Sequence, residues 1–264
     1  MASALILKTA RASMTGRSHR CRNRRCEDAC AETTLRTPEG KIIRRSVVVC
    51  DGAGSCPLGW LGAKIASRMA ARWLAENFNL LSENRISPQT AARKLTGCVQ
   101  RTISKFAGNR GFSSSLRPFS CTLAAAVLNW DGRWITAHIG DGGITALDEN
   151  GPFILSAPQK GEFANVTYFI TDRDAAQNVR IIRNTSPVRS FALFSDGLEN
   201  LLIRPEESLV APAMSDILTW LDEAEPQEVT EALHTALEDV FLPRTTDDCT
   251  LALLSGNWQT QNAS

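Results

Sequence analysis

The chain has 264 residues, which one α/β domain can accommodate, so we expect a single domain over residues 1–264. Hydrophobic residues make up 43% and charged residues 22%, a balance that is typical of a globular core and excludes a largely disordered chain. Lys and Arg total 29 against 28 Asp and Glu, so the net charge favours neither nucleic acid nor an anionic membrane as the partner.

The chain opens with a short apolar run at residues 4–7, which Lys8 ends. This run is too brief for the core of a signal peptide and far short of the ~20 residues that span a bilayer. We therefore expect a cytoplasmic protein. Its eight cysteines are then expected to be reduced thiols rather than a disulfide framework.

A basic stretch follows at residues 17–25, and it carries five arginines: Arg17, Arg20, Arg22, Arg24 and Arg25. Such a stretch is either a solvated surface or a patch that faces phosphate. Potential zinc ligands lie in the same region: His19, Cys21, Cys26 and Cys30. Their spacing lacks the paired CxxC form of structural zinc sites, so zinc is the weaker alternative.

Apolar and β-branched runs bounded by turn residues predict strands. They lie at residues 46–50, 121–130, 133–139, 144–147, 190–194 and 249–254. Asp131-Gly132 and Glu149-Asn150-Gly151 each lie between two strand-like runs. Both are hairpin signals, so neighbouring strands are expected to be antiparallel.

Helical periodicity is clearest at residues 59–77, where apolar side chains recur every fourth residue and are expected to face the core: Leu61, Ile65, Met69 and Trp73. A second helix is predicted after Ser87-Pro88. Near the C-terminus, Ser215 is expected to cap a short helix and Pro226 to begin a longer one. Hairpins separated by helix pairs predict an α/β (α+β) sandwich, with two packed antiparallel β-sheets flanked by pairs of helices.

Four aspartates lie where a strand run begins or ends: Asp51, Asp141, Asp196 and Asp247. An aspartate in this position is often only a turn former. Magnesium and manganese, however, prefer carboxylate and carbonyl oxygens as ligands. Aspartates that converge from separate strands are therefore what a two-metal hydrolytic site requires.

Two other kinds of phosphate chemistry fit the sequence poorly. The segment VVVCDGAGSCPLG could begin a dinucleotide site, but Pro57 occupies the third glycine position and no GK[ST] follows. A cysteine phosphatase needs a glycine-rich, arginine-ended loop after its nucleophile, and no cysteine here has one.

Four motifs occur in order along the chain: DGAGS at 51–55, GDG at 140–142, SDG at 195–197 and DDCT at 247–250. Together they resemble the motifs of the type 2C, or PPM, metal-dependent protein phosphatases. Residues 18–29 and 161–172 resemble a bacterial subgroup of that family. The resemblance implies one type 2C phosphatase-like domain that hydrolyses phosphoserine or phosphothreonine on proteins. It also implies a phosphoprotein substrate, a cognate Ser/Thr kinase, and neither nucleic acid nor membrane as partner.

The resemblance further implies two Mn²⁺ or Mg²⁺ ions, which activate a water without a covalent phosphoenzyme. By motif position Asp51 would bridge the ions and Gly52 would offer its carbonyl oxygen. Asp196 and Asp247 would hold one ion. Glu27 and Asp28 would hold the other, directly or through water. These five carboxylates are the expected catalytic set.

The sequence departs from the family pattern at two positions. Asp141 matches an aspartate of a third metal site, but Asn200 stands where the next aspartate of that site is expected. Ala53 occupies a position where many members carry a histidine that protonates the leaving group. Water could replace that histidine, and His19 and His138 are the other candidates.

Three features of the sequence have alternative interpretations. Arg24 and Arg25 are the candidates for binding phosphate, because guanidinium binds its oxygens bidentately. Residues 161–172 are either a flap that selects substrates or a loop followed by a strand at 166–170. Ala53 and Asn200 would also suit a catalytically silent regulatory or scaffolding module, although the intact acidic positions favour an enzyme.

Overall fold

The computed structural model describes residues 4–112, 115–159, 167–184 and 186–259, without the side chains of Ala4, Trp258 and Gln259. Its strands form two five-stranded antiparallel sheets. The first has the order β1-β12-β9-β6-β7. It comprises β1 Ala4–Met14, β6 Gly143–Asp148, β7 Gly151–Ser156, β9 Ser190–Phe194 and β12 Cys249–Gln259.

The second sheet has the order β2-β3-β4-β5-β8. It comprises β2 Ala29–Arg36, β3 Ile42–Cys50, β4 Leu123–Asn129, β5 Trp134–Ile139 and β8 Arg180–Arg183. A two-stranded ribbon, β10 Ile203–Arg204 with β11 Leu209–Val210, lies outside both sheets.

Two long helices cover the second sheet, α2 Gly59–Ser82 and α3 Pro88–Gly108. The first sheet is covered by α6 Ala213–Glu223 and α7 Pro226–Ala236. Shorter helices are α1 Arg17–Cys21, α4 Ala175–Asn178 and α5 Glu199–Leu202. None of the helices in the described ranges is long and apolar enough to cross a membrane.

The core has three parts that correspond to the layers. One lies between the second sheet and α2 and α3, and another lies between the first sheet and α6 and α7. The third lies between the two sheets and includes Val47, Leu128 and Leu254. The predicted sandwich of two antiparallel sheets flanked by helix pairs is therefore confirmed.

The predicted strands and hairpins are all present, with ends shifted by up to a few residues. Asp131-Gly132 joins β4 to the antiparallel β5, and Gly151 closes the turn between β6 and β7 with φ +117°. Sequence reasoning predicted neither β2 nor β8, and it also missed β1, a strand that pairs with β12 along its whole length. That strand mixes polar and apolar residues and is stabilised by a partner more than 200 residues away, so no local pattern marks it.

The buried face of α2 differs from the predicted one. The expected residues Leu61, Ile65, Met69 and Trp73 are only half-buried at its margin. The fully buried face carries small residues such as Ala63, Ala66 and Ala70. At Gly62 an added Cβ would lie 1.9 Å from the carbonyl oxygen of Phe119. Small side chains let the backbone of α2 approach its neighbours closely, and the larger residues pack around this contact.

Of the two predicted caps, one is confirmed and one is wrong. Ser87 caps α3 by accepting a hydrogen bond from the backbone N–H of Thr90. Helix α6 begins at Ala213 after Pro212, so Ser215 lies within its first turn rather than before it. Proline fits the start of a helix because it lacks an N–H that would need a partner.

Candidate active site

Three of the four predicted aspartates converge at one end of the sandwich. Carboxylate oxygens of Asp51, Asp141 and Asp196 all lie within 4.8 Å of one another. A cavity of about 420 Å³ opens above them and is also lined by Glu27, Asp247 and Asp248. We call this space, defined by these six acidic residues, the carboxylate cavity.

These aspartates lie at the ends of strands that belong to different sheets. Asp51 follows the last residue of β3 in the second sheet, and Asp196 follows Ser195 at the end of β9 in the first. Asp141 lies on the turn by which the chain crosses from β5 to β6, that is, from one sheet to the other. Gly140 makes this crossing with φ +112°, a conformation that favours glycine.

The Asp51 loop is fixed on both sides. The backbone N–H of Asp51 donates to Thr122 Oγ1 (3.0 Å), and the N–H of Thr122 donates to the carbonyl of Asp51 (2.8 Å). Gly52 N–H donates to the carbonyl of Glu27 (3.1 Å). A Cβ at Gly52 would lie 2.3 Å from the carbonyl carbon of Gly59, so only glycine lets this loop pack on the start of α2.

The converged carboxylates destabilise one another as anions. Burial raises the pKa of Asp51 well above its usual range, and the charges of Asp28, Asp196 and Asp141 raise it further. Burial and the neighbouring charges of Asp141 and Asp247 raise the pKa of Asp196 to about 7. Such clustered carboxylates require protons or cations to offset their charge.

Asp28 lies behind the cavity rather than on its wall. It is 8% exposed, and its Oδ2 accepts a short hydrogen bond from Ser195 Oγ (2.6 Å). Burial raises its pKa to about 8, although the Ser195 hydroxyl lowers it in part. The predicted residue is thus adjacent to the cluster, but its described contacts point into the protein.

Glu27 lines the cavity, and only one of its two carboxylate oxygens has a hydrogen-bond partner in the described structure. Its Oε1 accepts from Arg24 Nη2 at 2.5 Å, while its Oε2 is buried without a hydrogen bond. Burial raises the pKa of Glu27, and the charges of Arg24 and His19 oppose that rise.

The two candidate phosphate-binding arginines lie in different places. Arg24 lines the cavity, and so does Arg22, which sequence reasoning did not single out. Arg25 does not line it; its guanidinium lies 4.1 Å from the centre of the Trp60 ring. The basic stretch is therefore partly a wall of the carboxylate cavity and partly surface.

Asp247 lines the cavity as predicted, and its neighbour Asp248 has a role that the sequence did not indicate. Asp248 is 2% exposed and accepts from the N–H groups of Gly16 (2.7 Å) and Glu27 (2.6 Å). Its Oδ2 also lies 2.9 Å from His19 Nδ1. Asp248 thereby tethers the segment that contains Glu27 to the start of β12. Its place in the DDCT motif was the only available signal.

The two candidate histidines differ. His19 lines the cavity, with Nε2 3.9 Å from Glu27 Oε2. His138 lies outside it, with Nδ1 2.8 Å from Ser156 Oγ. Burial and the charge of Arg180 lower the pKa of His138 to about 3, so it is neutral. It has no access to a leaving group.

The zinc alternative does not form. Cys30 accepts from Arg11, Cys26 contacts Ser13, and Cys21 is exposed. All eight cysteines fall within the described ranges and are free thiols. In the described part of the chain, three potential ligands come together only at Asp51, Asp141 and Asp196.

The donor set fits hard divalent cations. Asp141 Oδ1 and Glu27 Oε2 are buried oxygens without a hydrogen-bond partner in the described structure. A buried carboxylate oxygen without a partner is costly, and a cation would satisfy it. The six acidic residues of the cavity offer only oxygen atoms, which Mg²⁺ and Mn²⁺ prefer as ligands. Asn200 does not line the cavity, so it adds no ligand there.

Part of the predicted flap reaches this site. Residues 161–166 lie outside the described residues, but Thr167 Oγ1 donates to Asp141 Oδ2 (2.6 Å). Thr167 and Phe169 both line the carboxylate cavity. Residues 167–170 form no strand beyond a single bridge at Thr167, so the alternative of a strand at 166–170 is wrong over the part described.

Comparison with known proteins points to one family. Residues 15–238 match the family described as Protein phosphatase 2C. The chain is 30% identical over 248 residues to Serine/threonine-protein phosphatase 3 of Escherichia coli (strain K12), covering 92% of this chain and 95% of that protein.

Solved structures share the fold at lower identity. A bacterial serine phosphatase superimposes with a TM-score of 0.65 at 16% identity, covering 97% of this chain and 100% of the other. The serine/threonine phosphatase Stp1 from Staphylococcus aureus gives 0.61 at 15% identity, covering 95% of each chain. PppA of Pseudomonas aeruginosa, described as a key regulatory component of T6SS, gives 0.61 at 20% identity, covering 97% and 100%.

Proposed function

The chain belongs to the protein phosphatase 2C family, and on that premise we propose which of its residues carry out the reaction. It is a metal-dependent protein serine/threonine phosphatase, which hydrolyses the phosphate ester of phosphoserine or phosphothreonine in proteins. The observation that carries the assignment of the site is the convergence of Asp51, Asp141 and Asp196 from two sheets.

We assign two divalent cations, Mn²⁺ or Mg²⁺, to the carboxylate cavity. Asp51 is the proposed shared ligand, with the Gly52 carbonyl, Asp196, Asp247 and Glu27 as the others. Asp141 joins this set, because its carboxylate oxygen lies within 4.8 Å of those of Asp51 and Asp196. When bound, the ions supply a water of lowered pKa and offset the charge of the phosphoryl oxygens.

Asp28 takes a supporting part in this proposal. Its Oδ2 bond to Ser195 Oγ holds it behind the cluster. Its charge also raises the pKa of Asp51, after burial, which is the largest cause. We assign Asp28 to the support of the ligand set, either directly or through a water.

Arg24 is the proposed phosphate-binding residue. Its Nη2 is held by Glu27 Oε1 and lies 3.4 Å from the carbonyl of Gly54, which keeps the guanidinium at the cavity wall. Guanidinium donors in a fixed fork match the oxygens of a phosphate ester.

Ala53 offers no proton, and His138 is buried away from the cavity. His19 lines the cavity, but its two ring nitrogens face the carboxylates of Asp248 (2.9 Å) and Glu27 (3.9 Å), so we assign protonation of the leaving oxygen to solvent.

The wider setting is also part of the proposal. A phosphatase of this kind requires a kinase that phosphorylates its substrates, and we propose a cognate Ser/Thr kinase. Eight free thiols suit a reducing compartment, in support of the cytoplasmic location expected from the sequence.

The assignment is tested by hydrolysis of a phosphothreonine peptide with Mn²⁺, with and without chelator. We expect turnover that chelator removes, and a loss of at least about 100-fold in Asp51→Asn, because the substitution removes the negative charge of the proposed shared ligand. The matched control is Asp239→Asn, at an exposed position in the short π-helical segment Leu237–Phe241 that follows α7.

A catalytically silent module predicts a different result. Native protein would then bind Mn²⁺ but hydrolyse none of several phosphopeptides. The five carboxylates of the expected catalytic set are intact and four of them line one cavity, which favours the enzyme.

A further inference from the structure

A second cavity of about 790 Å³ adjoins the carboxylate cavity. The two share three lining residues, Ser55, Thr167 and Phe169, so a chain bound in one can continue into the other. The remaining wall includes Cys56, Gln100, Leu116, Arg117, Thr171 and Arg173. We call this second cavity, defined by these six residues, the arginine groove.

The arginine groove carries two cationic side chains that no described residue neutralises. Arg117 and Arg173 are both exposed and form no ion pair within the described ranges. Among the described residues, the one carboxylate in the wall is Asp172, whose Oδ2 accepts from the backbone N–H of Phe169 (2.8 Å). The two guanidiniums therefore remain available to a ligand.

The wall that carries Arg173 is fixed relative to the carboxylate cavity. Gln100 on α3 donates from Nε2 to the carbonyls of Ile170 (3.0 Å) and Asp172 (2.8 Å). At its other end, Thr167 donates to Asp141 Oδ2 (2.6 Å). These hydrogen bonds hold the backbone of residues 167–172 at both ends. The wall therefore keeps a constant distance from the carboxylate cavity, as a specificity site requires.

The chemistry of the wall points to a polypeptide. The cavity is larger than a phosphate group needs, and Leu116 and Phe169 add apolar surface beside the hydrogen-bonding side chains. We propose that the arginine groove binds the substrate chain beside the phosphorylated residue, and that Arg117 and Arg173 select acidic side chains there. This inference rests on the proposed function, since it concerns the substrate of the same site.

The test compares phosphothreonine peptides that differ only in the residues flanking the phosphothreonine: glutamate, glutamine or lysine on both sides. For each peptide kcat/KM is measured at low ionic strength, beside the turnover of p-nitrophenyl phosphate. That small ester lacks the flanking residues that the groove is proposed to bind. The test variant is the double substitution Arg117→Gln with Arg173→Gln. The matched control is Arg68→Gln, since Arg68 is exposed on α2 and lines neither cavity.

For native protein we expect the glutamate peptide to exceed the glutamine peptide in kcat/KM by roughly 3- to 10-fold, the range for two exposed ion pairs. The double variant should lose this preference, while its kcat/KM for p-nitrophenyl phosphate falls by less than about twofold. Salt should reduce the preference of the native protein, because exposed ion pairs are screened. Arg68→Gln should behave as native protein.

Two results would overturn the inference, and they differ from failure of the proposed function. If native protein hydrolyses every peptide with equal kcat/KM, it does not select acidic flanking residues. If the double variant keeps the preference for glutamate, that preference does not come from Arg117 and Arg173. Absence of metal-dependent turnover on both the peptides and p-nitrophenyl phosphate overturns the proposed function, and this inference with it.

Discussion

Among single residues, Ser195 links two parts of the site. Its hydroxyl donates to Asp28 Oδ2 (2.6 Å) and accepts the backbone N–H of Thr250 (3.0 Å). Both the hydroxyl and the carboxylate are buried, so water cannot replace the bond. Ser195 therefore stabilises a carboxylate that burial alone would destabilise, and it ties that carboxylate to β12.

Replacing Ser195 by alanine should lower the free energy of unfolding by ~1–3 kcal/mol, because a buried carboxylate oxygen and a buried N–H lose their partner. The measurement is urea unfolding with saturating Mn²⁺. Ser215→Ala is the control, since Ser215 lies inside α6 and alanine is a better helix former. A loss no larger than that of Ser215→Ala would contradict the role given to Ser195.

Among the elements, α2 depends on small residues for its position. Its first turn packs on the turn at Arg117–Phe119, where a Cβ at Gly62 would lie 1.9 Å from the carbonyl oxygen of Phe119. The same end of α2 packs on the Asp51 loop through Gly59 and Gly52. A shift of α2 would therefore displace the Asp51 loop at the carboxylate cavity.

Gly62→Ala should lower the free energy of unfolding by ~1–3 kcal/mol, the usual cost of overpacking. Gly108→Ala is the matched control at the end of α3, where an added Cβ meets nothing within 4 Å. It should leave stability unchanged or raise it by up to ~1 kcal/mol. Equal stability of the two variants by urea unfolding would show that α2 is free to move away.

The local parts of the fold could be predicted from the sequence, and the non-local parts could not. Strand β9 was placed at residues 190–194, as observed, because its apolar run ends sharply at turn residues. The β1–β12 pairing and the small-residue face of α2 depend on partners that local periodicity does not reveal. The large residues Leu61 and Trp73 dominated the predicted face, although the close contact belongs to alanines and glycine.

The site followed the same division. Motif position identified Asp51, Asp196 and Asp247, and the structure places all three at one cavity. Asp248 and Ser195 were missed because their importance lies in contacts with Gly16, His19 and Asp28, which only the folded chain brings near. Arg25 shares the basic stretch with Arg24, but stacking on Trp60 takes it away from the cavity.

Across the whole molecule, two sheets meet at a cluster of like charges. The pKa of Asp28 is raised to about 8 and that of Asp196 to about 7, mainly by burial. In metal-free protein these groups hold protons in the folded state at pH values where the unfolded chain, with carboxyl pKa values near ~4, has released them. The folded state then binds more protons, so the free energy of unfolding falls as pH rises.

We therefore expect chelator-treated protein to lose stability between about pH 4 and about pH 8, by on the order of 1 kcal/mol per pH unit while one such group titrates. Urea unfolding at several pH values measures this slope. Saturating Mn²⁺ should remove or reverse this fall in stability with pH, since cations compete with protons for the carboxylates. Stability of the metal-free protein that rises with pH across this window would contradict the charge balance described.

The most direct test of the account is the number of Mn²⁺ ions bound per chain, measured by equilibrium dialysis and metal analysis on native protein and on Asp51→Asn. If Asp51 is the shared ligand, native protein should bind about two ions and the variant fewer than about one at the same free Mn²⁺ concentration. Equal stoichiometry in the two proteins would contradict the proposal that the cations lie in the carboxylate cavity.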